Sequence, residues 1–290
     1  MSRASLHNPG RPVSLRLGAL DIEAFSISGL ATYVHVPAFD ACFDLGHCTV
    51  AASRTRNVIL SHVHQDHSLG VVRHLSLREM GGARPSRIHV PAESRDALID
   101  MLRAYARLEQ REPGDLDAIV RGVAAGESFA LSGRYEVRAF DVVHRIASRG
   151  FTVVEKRRKL KPALQGLPGE VIRAARERGE ELYDYTDADA FTYIGDSTVE
   201  TLERNPGIGR SEVLFLEATH LPGTSPEVSA RYGHTHLDEI AALHERRPEI
   251  LASPHIVLKH FSMKYDAEQI RASLGALPPA LRERVTLLVR

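Results

Sequence analysis

No stretch of this 290-residue chain approaches the roughly 18 consecutive apolar residues of a membrane span. Low-complexity tracts and short-period repeats are also missing, and no linker is long enough to separate two domains. Cysteine is scarce. Cys42 and Cys48 stand close together in one segment, and two cysteines in a chain of this length do not make a disulfide framework. That usage fits a cytoplasmic protein. The segment from Met1 to Pro12 is polar with scattered arginine and lacks the apolar core of a secretory signal. Residues 1–14 therefore read as a short flexible leader, and residues 15–290 as one domain with a core of ordinary size. Net charge is absent too, because 37 basic residues balance 37 acidic ones. Global charge gives no argument for nucleic-acid binding, so any RNA footprint must be a local patch.

Histidine is abundant, with fifteen in the chain, and the question is whether they stand at metal-ligand spacing. The local pattern places them. Short runs at Val13–Leu20, Ile22–Ile27, Thr32–Val36 and Ala41–Asp44 read as strands, as do Val58–Leu60 and Ile88–Val90. Leu69–Met80 and Glu93–Leu108 have helical spacing. The second half repeats this logic. Tyr135–Phe140 and Phe151–Val154 read as paired strands, Ala190–Ile194, Glu212–Leu216 and Ile256–Leu258 as buried strands, and Gly169–Arg178, Leu237–Arg246 and Ala267–Leu274 as helices. The pattern predicts an α/β protein in which two packed sheets carry helices on their outer faces.

His62, His64, Asp66 and His67 follow the short apolar run Val58-Ile59-Leu60. At a strand end His62 and His64 can point to one side while Asp66 and His67 swing round the bend. Nitrogen and carboxylate ligands crowded into six residues suit borderline metals such as zinc, and leave manganese open. Each of two ions wants about three protein ligands and an open position, which is more than one loop supplies. His144, Asp196 and His260 each stand at the end of an apolar run, where strands end and site residues gather.

The run His62-Val63-His64-Gln65-Asp66-His67 resembles the signature of the metallo-β-lactamase superfamily. Further landmarks are similar to the short form of the ribonuclease Z family of tRNA 3′-processing endonucleases, the plant-type enzymes above all. They include Phe43-Asp44-Leu45-Gly46, the stretch from Phe140 through His144 to Phe151, and Gly195-Asp196-Ser197-Thr198. Glu217-Ala218-Thr219, Gly233-His234-Thr235-His236 and Lys259-His260-Phe261-Ser262-Met263-Lys264-Tyr265 complete the set. The resemblance spans about Asp21 to Tyr265 and implies the αββα sandwich of that superfamily.

It also implies two Zn²⁺ ions per chain. His62, His64, His144 and Asp196 would hold one, and Asp66, His67, His260 and Asp196 the other, with Asp196 bridging. Asp66 would orient the attacking water and accept its proton. His234 would protonate the leaving oxygen with Glu217 fixing its tautomer, although His236 stands two residues away and is open to the same role. Asp44 would brace a ligand from behind. Leu216 departs from a histidine found there in many bacterial members. The segment between Glu245 and His255 looks a few residues longer than usual and reads as a lengthened surface loop.

Lys156, Arg157, Arg158, Lys159 and Lys161 form the strongest basic run, inside an arm at about 155–185. Such a run can grip a phosphate backbone, and aromatic residues for base stacking are scarce around it. The resemblance implies a homodimer in which one subunit's arm presents precursor tRNA to the other's site. Two other functions compete: a hydrolase of a small phosphodiester or thioester on the same fold, and a non-catalytic RNA-binding protein. The second would have lost ligands, and the full set argues against it.

Overall fold

The computed structural model describes residues 11–289; residues 1–10 of the stretch read as a leader lie outside them. The first strand, Val13–Leu17, begins inside the remainder of that stretch. Two sheets follow one plan. In the first, Val13–Leu17, Leu20–Ser28, Ala31–Val36 and Ala41–Leu45 pair antiparallel in sequence order. Asn57–Ile59, Arg87–Pro91 and Val120–Val123 then extend it in parallel. In the second, Ser128–Ala130, Tyr135–Asp141, Arg149–Leu160 and Tyr183–Tyr193 pair antiparallel, and Val213–Glu217, His255–Lys259 and Val285–Leu287 continue in parallel. The repeated logic of the sequence is thus a repeated sheet order.

Side-chain alternation along the strands sorts three apolar clusters. Phe39, Phe43, Phe151, Phe191, Tyr193 and Phe215 fill the space between the sheets. Leu214, Leu216, Ile256 and Leu258 point the other way, under the helix Leu237–Arg246. Val58, Leu60, Ile88 and Val90 face the helices Gly70–Met80 and Arg95–Leu108 on the opposite outer side. The layers are therefore helix, sheet, sheet, helix, as the sequence predicts.

Two readings change. The segment after Arg246 is not a surface loop. Pro248–Leu251 is a 3₁₀ turn whose Ile250 and Leu251 are fully buried, and apolar side chains at its end pull it into the outer core. The strand read at Ala190–Ile194 is the inner end of a much longer one, Tyr183–Tyr193. Its outer half is polar and carries no apolar alternation, because past the sheet it pairs only with Val154–Leu160 in a two-stranded hairpin. The basic arm is this hairpin with the helix Gly169–Glu177 at its end.

Candidate metal centre

Strands of both sheets end at one edge of the sandwich, and the loops leaving them carry the chemistry. In layered α/β proteins ligands gather at the carboxyl ends of strands. His62 to His67 leave Asn57–Ile59, Asp196 follows Tyr183–Tyr193, Glu217 closes Val213–Glu217, and His260 follows His255–Lys259. His144 comes from the turn between Tyr135–Asp141 and Arg149–Leu160. Side chains 198 positions apart in sequence, His62 and His260, thus reach one cleft.

The ligand atoms form two sets. In the first, His64 Nδ1 lies 2.9 Å from His62 Nε2 and 3.4 Å from His144 Nε2. Asp196 Oδ2 is 3.7 Å from His62 Nε2. In the second, His67 Nε2 and His260 Nε2 are 3.2 Å apart, and Asp66 Oδ2 is 3.7 and 3.4 Å from them. Asp196 Oδ1 lies 3.2 Å from each of these two nitrogens. Four atoms bound tetrahedrally at about 2.0–2.2 Å from one ion stand roughly 3.3–3.6 Å apart. The separations in the two sets run from 2.9 to 3.7 Å, on either side of that spacing, and one carboxylate offers an oxygen to each.

The donor chemistry fits a metal as well as the spacing does. Asp196 Oδ1 is buried and makes no well-aligned hydrogen bond; only the Nε2 atoms of His67 and His260, each 3.2 Å away, face it, an arrangement that a cation among them would relieve. The nitrogens not facing the cleft are held from behind. His67 Nδ1 donates to Asp44 Oδ2 at 2.7 Å, and His144 Nδ1 donates to the Gly233 carbonyl at 2.8 Å. His62 Nδ1 pairs with Ser61 Oγ at 3.0 Å, and His260 Nδ1 with Thr219 Oγ1 at 2.9 Å. A proton on each of these nitrogens leaves the lone pair of Nε2 aimed inward, the tautomer a ligand needs. Burial lowers the pKa of His62, His64 and His144, which favours the neutral, ligating form. Asp66 is ionised. Burial works against its charge, but the His260 hydrogen bond and the nearby His67 outweigh it and hold the carboxyl at about 2.

Backbone shape is part of the site. Asp44 and His260 both sit at positive φ, 53° and 63°, a strained region for residues other than glycine. Gly195 has room for no side chain, since a Cβ there would lie 2.2 Å from Ser61 Oγ. Asp44 is fully buried. Its Oδ2 accepts from Ser61 Oγ, His67 and the Tyr193 hydroxyl, and its Oδ1 from the Ser61 amide.

The structure separates the two candidate proton donors. His236 is fully buried; its Nδ1 accepts from the Asp238 amide as a helix N-cap and its Nε2 donates to the Leu221 carbonyl. Both nitrogens are engaged by backbone groups, so neither is directed at the ligand sets. His234 Nδ1 is 2.9 Å from Glu217 Oε1, and the ring flanks both sets, 5.7 Å from His144 and 5.5 Å from His260. Burial opposes its charge, but Glu217 beside it raises the pKa to about 9. Leu216 packs in the outer cluster, so the side chain at that position faces away from the cleft.

The arm residues lie elsewhere. Lys156 is paired with Asp187 at 3.0 Å, Arg157 with Glu155 at 2.6 Å and Lys161 with Glu181 at 3.2 Å. Arg158 lies over the Tyr183 ring. Between 155 and 185 eight basic residues meet six acidic ones, so the arm is only mildly positive. Exposed Tyr185, opposite Arg158 in register, is an aromatic that the sequence reading passed over. Sequence reasoning gave no role of their own to Lys259 and Arg149, although both lie in the landmark stretches. Lys259 is fully buried with an unpartnered Nζ over Tyr193, and a lysine inside an apolar strand run was the available signal.

No protein-family model matches the chain. A curated tRNase Z of Arabidopsis thaliana, TRZ1, is 30% identical over 280 residues, covering 96% of this chain and 98% of the relative. A second Arabidopsis relative, the chloroplastic tRNase Z TRZ2, is 29% identical over 287 residues, 98% of this chain and 78% of that one. Among solved structures, human tRNase Z, short form, superposes with a TM-score of 0.53 at 17% identity over 96% of this chain and 93% of its own. The metallo-β-lactamase fold protein YhfI of Bacillus subtilis gives 0.52 at 12% identity over 92% and 88%. The sandwich described above is therefore the metallo-β-lactamase fold.

Proposed function

Since the chain belongs to the ribonuclease Z family of endoribonucleases, we propose that it cleaves precursor tRNA at its 3′ end with two divalent cations, Zn²⁺ or Mn²⁺, held in the two ligand sets. The observation that carries this reading is Asp196, whose two buried oxygens each complete one set. His62, His64 and His144 would hold the first ion, and Asp66, His67 and His260 the second. Bound there, the ions would supply positive charge that acidifies water and offsets charge gathering on the phosphoryl oxygens.

The chain's own groups do the remainder. Asp66, ionised and anchored by the Gly29 amide at 2.7 Å, accepts a hydrogen bond from the attacking water and orients it. With Nδ1 bound to Glu217, His234 keeps Nε2 free to give a proton to the leaving 3′-oxygen. Glu217 fixes that tautomer and is itself fixed by the Ser197 amide at 2.7 Å and by Thr219. The arm's unpaired cations, Arg158 and Lys159, have no carboxylate within ion-pair distance among the described residues. They would contact RNA phosphates, with Lys156, Arg157 and Lys161 exchanging acidic partners for phosphate. The same reading makes the protein a cytoplasmic homodimer in which one subunit's arm serves the partner's cleft. No helix among the described residues is long and apolar enough to cross a membrane.

The test compares a 3′-extended precursor tRNA with bis-p-nitrophenyl phosphate as substrates. Asp66→Ala should abolish cleavage of both. Removing the five positive charges between Lys156 and Lys161 should slow only the RNA reaction. Equal loss on the small ester would refute an RNA-gripping arm, and an active Asp66→Ala enzyme would refute the site.

A further inference from the structure

The loop that carries His144 is exposed or half-buried from 141 to 147, and its anchors, Val142 in the outer cluster and the Val143 backbone on Thr198 and Thr201, all belong to the second sheet's side. Something must hold it against the other sheet, where His62 and His64 sit. One arginine is placed to do so. Arg149 is 7% exposed, although arginine is seldom buried unless paired. Its Nη2 lies 2.5 Å from Glu93 Oε1, at the turn after the strand Arg87–Pro91 of the first sheet. Its Nη1 lies 3.2 Å from Asp141 Oδ1, at the near end of the His144 loop, and donates to the Ser148 carbonyl at its far end at 2.8 Å. Its amide donates to the Ser61 carbonyl at 2.8 Å, one residue before His62. The planar fork of one guanidinium thus ties both ends of the His144 loop to the opposite sheet.

We infer that Arg149 is a positioning residue for one ligand set alone, the set containing His144. The second set, Asp66, His67 and His260, is braced by Asp44 and Thr219, neither of which the Arg149 guanidinium touches; the one link runs through the backbone of Ser61, whose carbonyl takes the Arg149 amide and whose amide serves Asp44. This inference rests on the two-ion reading above. It gives the residue a role that no proximity to the cleft reveals, because its guanidinium touches no ligand side chain.

The test is ion binding, measured by competition with a chromogenic chelator using Zn²⁺ alone. The wild type should give two dissociation constants, and His144→Ala marks which of them belongs to its set. Arg149→Met should weaken that constant by up to roughly tenfold, the lower end of the effect of losing a group bound directly behind a ligand, and leave the other within about twofold. Arg149→Lys should recover little, because an ammonium cannot reproduce the fork. Glu93 and Asp141 are exposed, so Glu93→Gln combined with Asp141→Asn keeps the fold. That double variant should weaken the same constant, and it decides the matter if Arg149→Met fails to fold. Two constants that shift together, or that do not shift, would overturn the inference while leaving the two-ion reading intact. A wild type that takes up only one ion would overturn both.

Discussion

Asp44→Asn exchanges one oxygen for an NH₂ group in a fully buried position, and its effect can be worked out atom by atom. The carboxylate serves four donors. Two are hydroxyls, Ser61 Oγ at 2.8 Å and Tyr193 at 2.6 Å, which can rotate and accept instead. Two are rigid, the Ser61 amide at 2.7 Å on Oδ1 and His67 Nδ1–H at 2.7 Å on Oδ2. Asparagine has a single oxygen, so in either orientation one rigid donor faces an NH₂ group. A peptide amide cannot change its proton, but an imidazole can. The side chain will therefore settle with its oxygen on Ser61, and His67 will give up its Nδ1 proton and keep the one on Nε2, the atom that faces His260 and Asp196. Hydrogen bonds to a charged group are each worth about 1.5–3 kcal/mol. Forcing the wrong tautomer should cost a comparable amount at the second ligand set, which corresponds to roughly 10- to 100-fold in ion affinity. Zinc competition titration reads this directly: one dissociation constant should rise by that factor while the one marked by His144→Ala holds. Unchanged uptake of two ions by Asp44→Asn would refute the reasoning, since His67 would then be shown not to depend on its brace.

Three further outcomes are expected. Gly195→Ala puts a Cβ 2.2 Å from Ser61 Oγ; displacing Ser61 should cost about 1–3 kcal/mol in urea unfolding together with loss of phosphodiesterase activity, and a wild-type-like variant would contradict the close approach. Ion uptake should strengthen with pH. Burial opposes charge on His67, but Asp196 and Asp44 hold its pKa at about 10 in the metal-free protein, so binding must expel a proton and affinity should rise up to about tenfold per pH unit below that value; a pH-independent constant from pH 6 to 9 would count against it. His89 is stacked on Phe129 at 4.0 Å with neither ring nitrogen hydrogen-bonded, and burial pushes its pKa down to about 3. As pH falls below 6.5 the unfolded chain takes a proton that the folded one refuses, so stability is full above 6.5 and declines toward 3. At pH 5 the deficit is about 2 kcal/mol, and His89→Phe should remove it from the difference between unfolding free energies at pH 7.5 and 5.0.

Residue type and local period determined a good deal here without any coordinates. His62-Val63-His64-Gln65-Asp66-His67 announces its chemistry because its ligands are contiguous, and His144, Asp196 and His260 are marked by the apolar strands that precede them. The paired sheets are legible for the same reason: buried strands such as Val213–Glu217 need apolar residues on both faces, and that requirement is written locally. Where a residue's role depends on what lies across a gap, the sequence is silent. His234 and His236 are two positions apart with the same side chain, yet one faces the cleft beside Glu217 and the other caps a helix. Lys156 and Lys161 look like free cations of a basic run until the fold brings Asp187 and Glu181 against them. Arg149 has no periodic or compositional mark at all, because its partners, Glu93 and Asp141, are chosen by the packing of two sheets. Hydrophobic pattern is a property of neighbours along the chain, whereas hydrogen bonds and charge pairs between distant segments are fixed only when the core has set the distance between them.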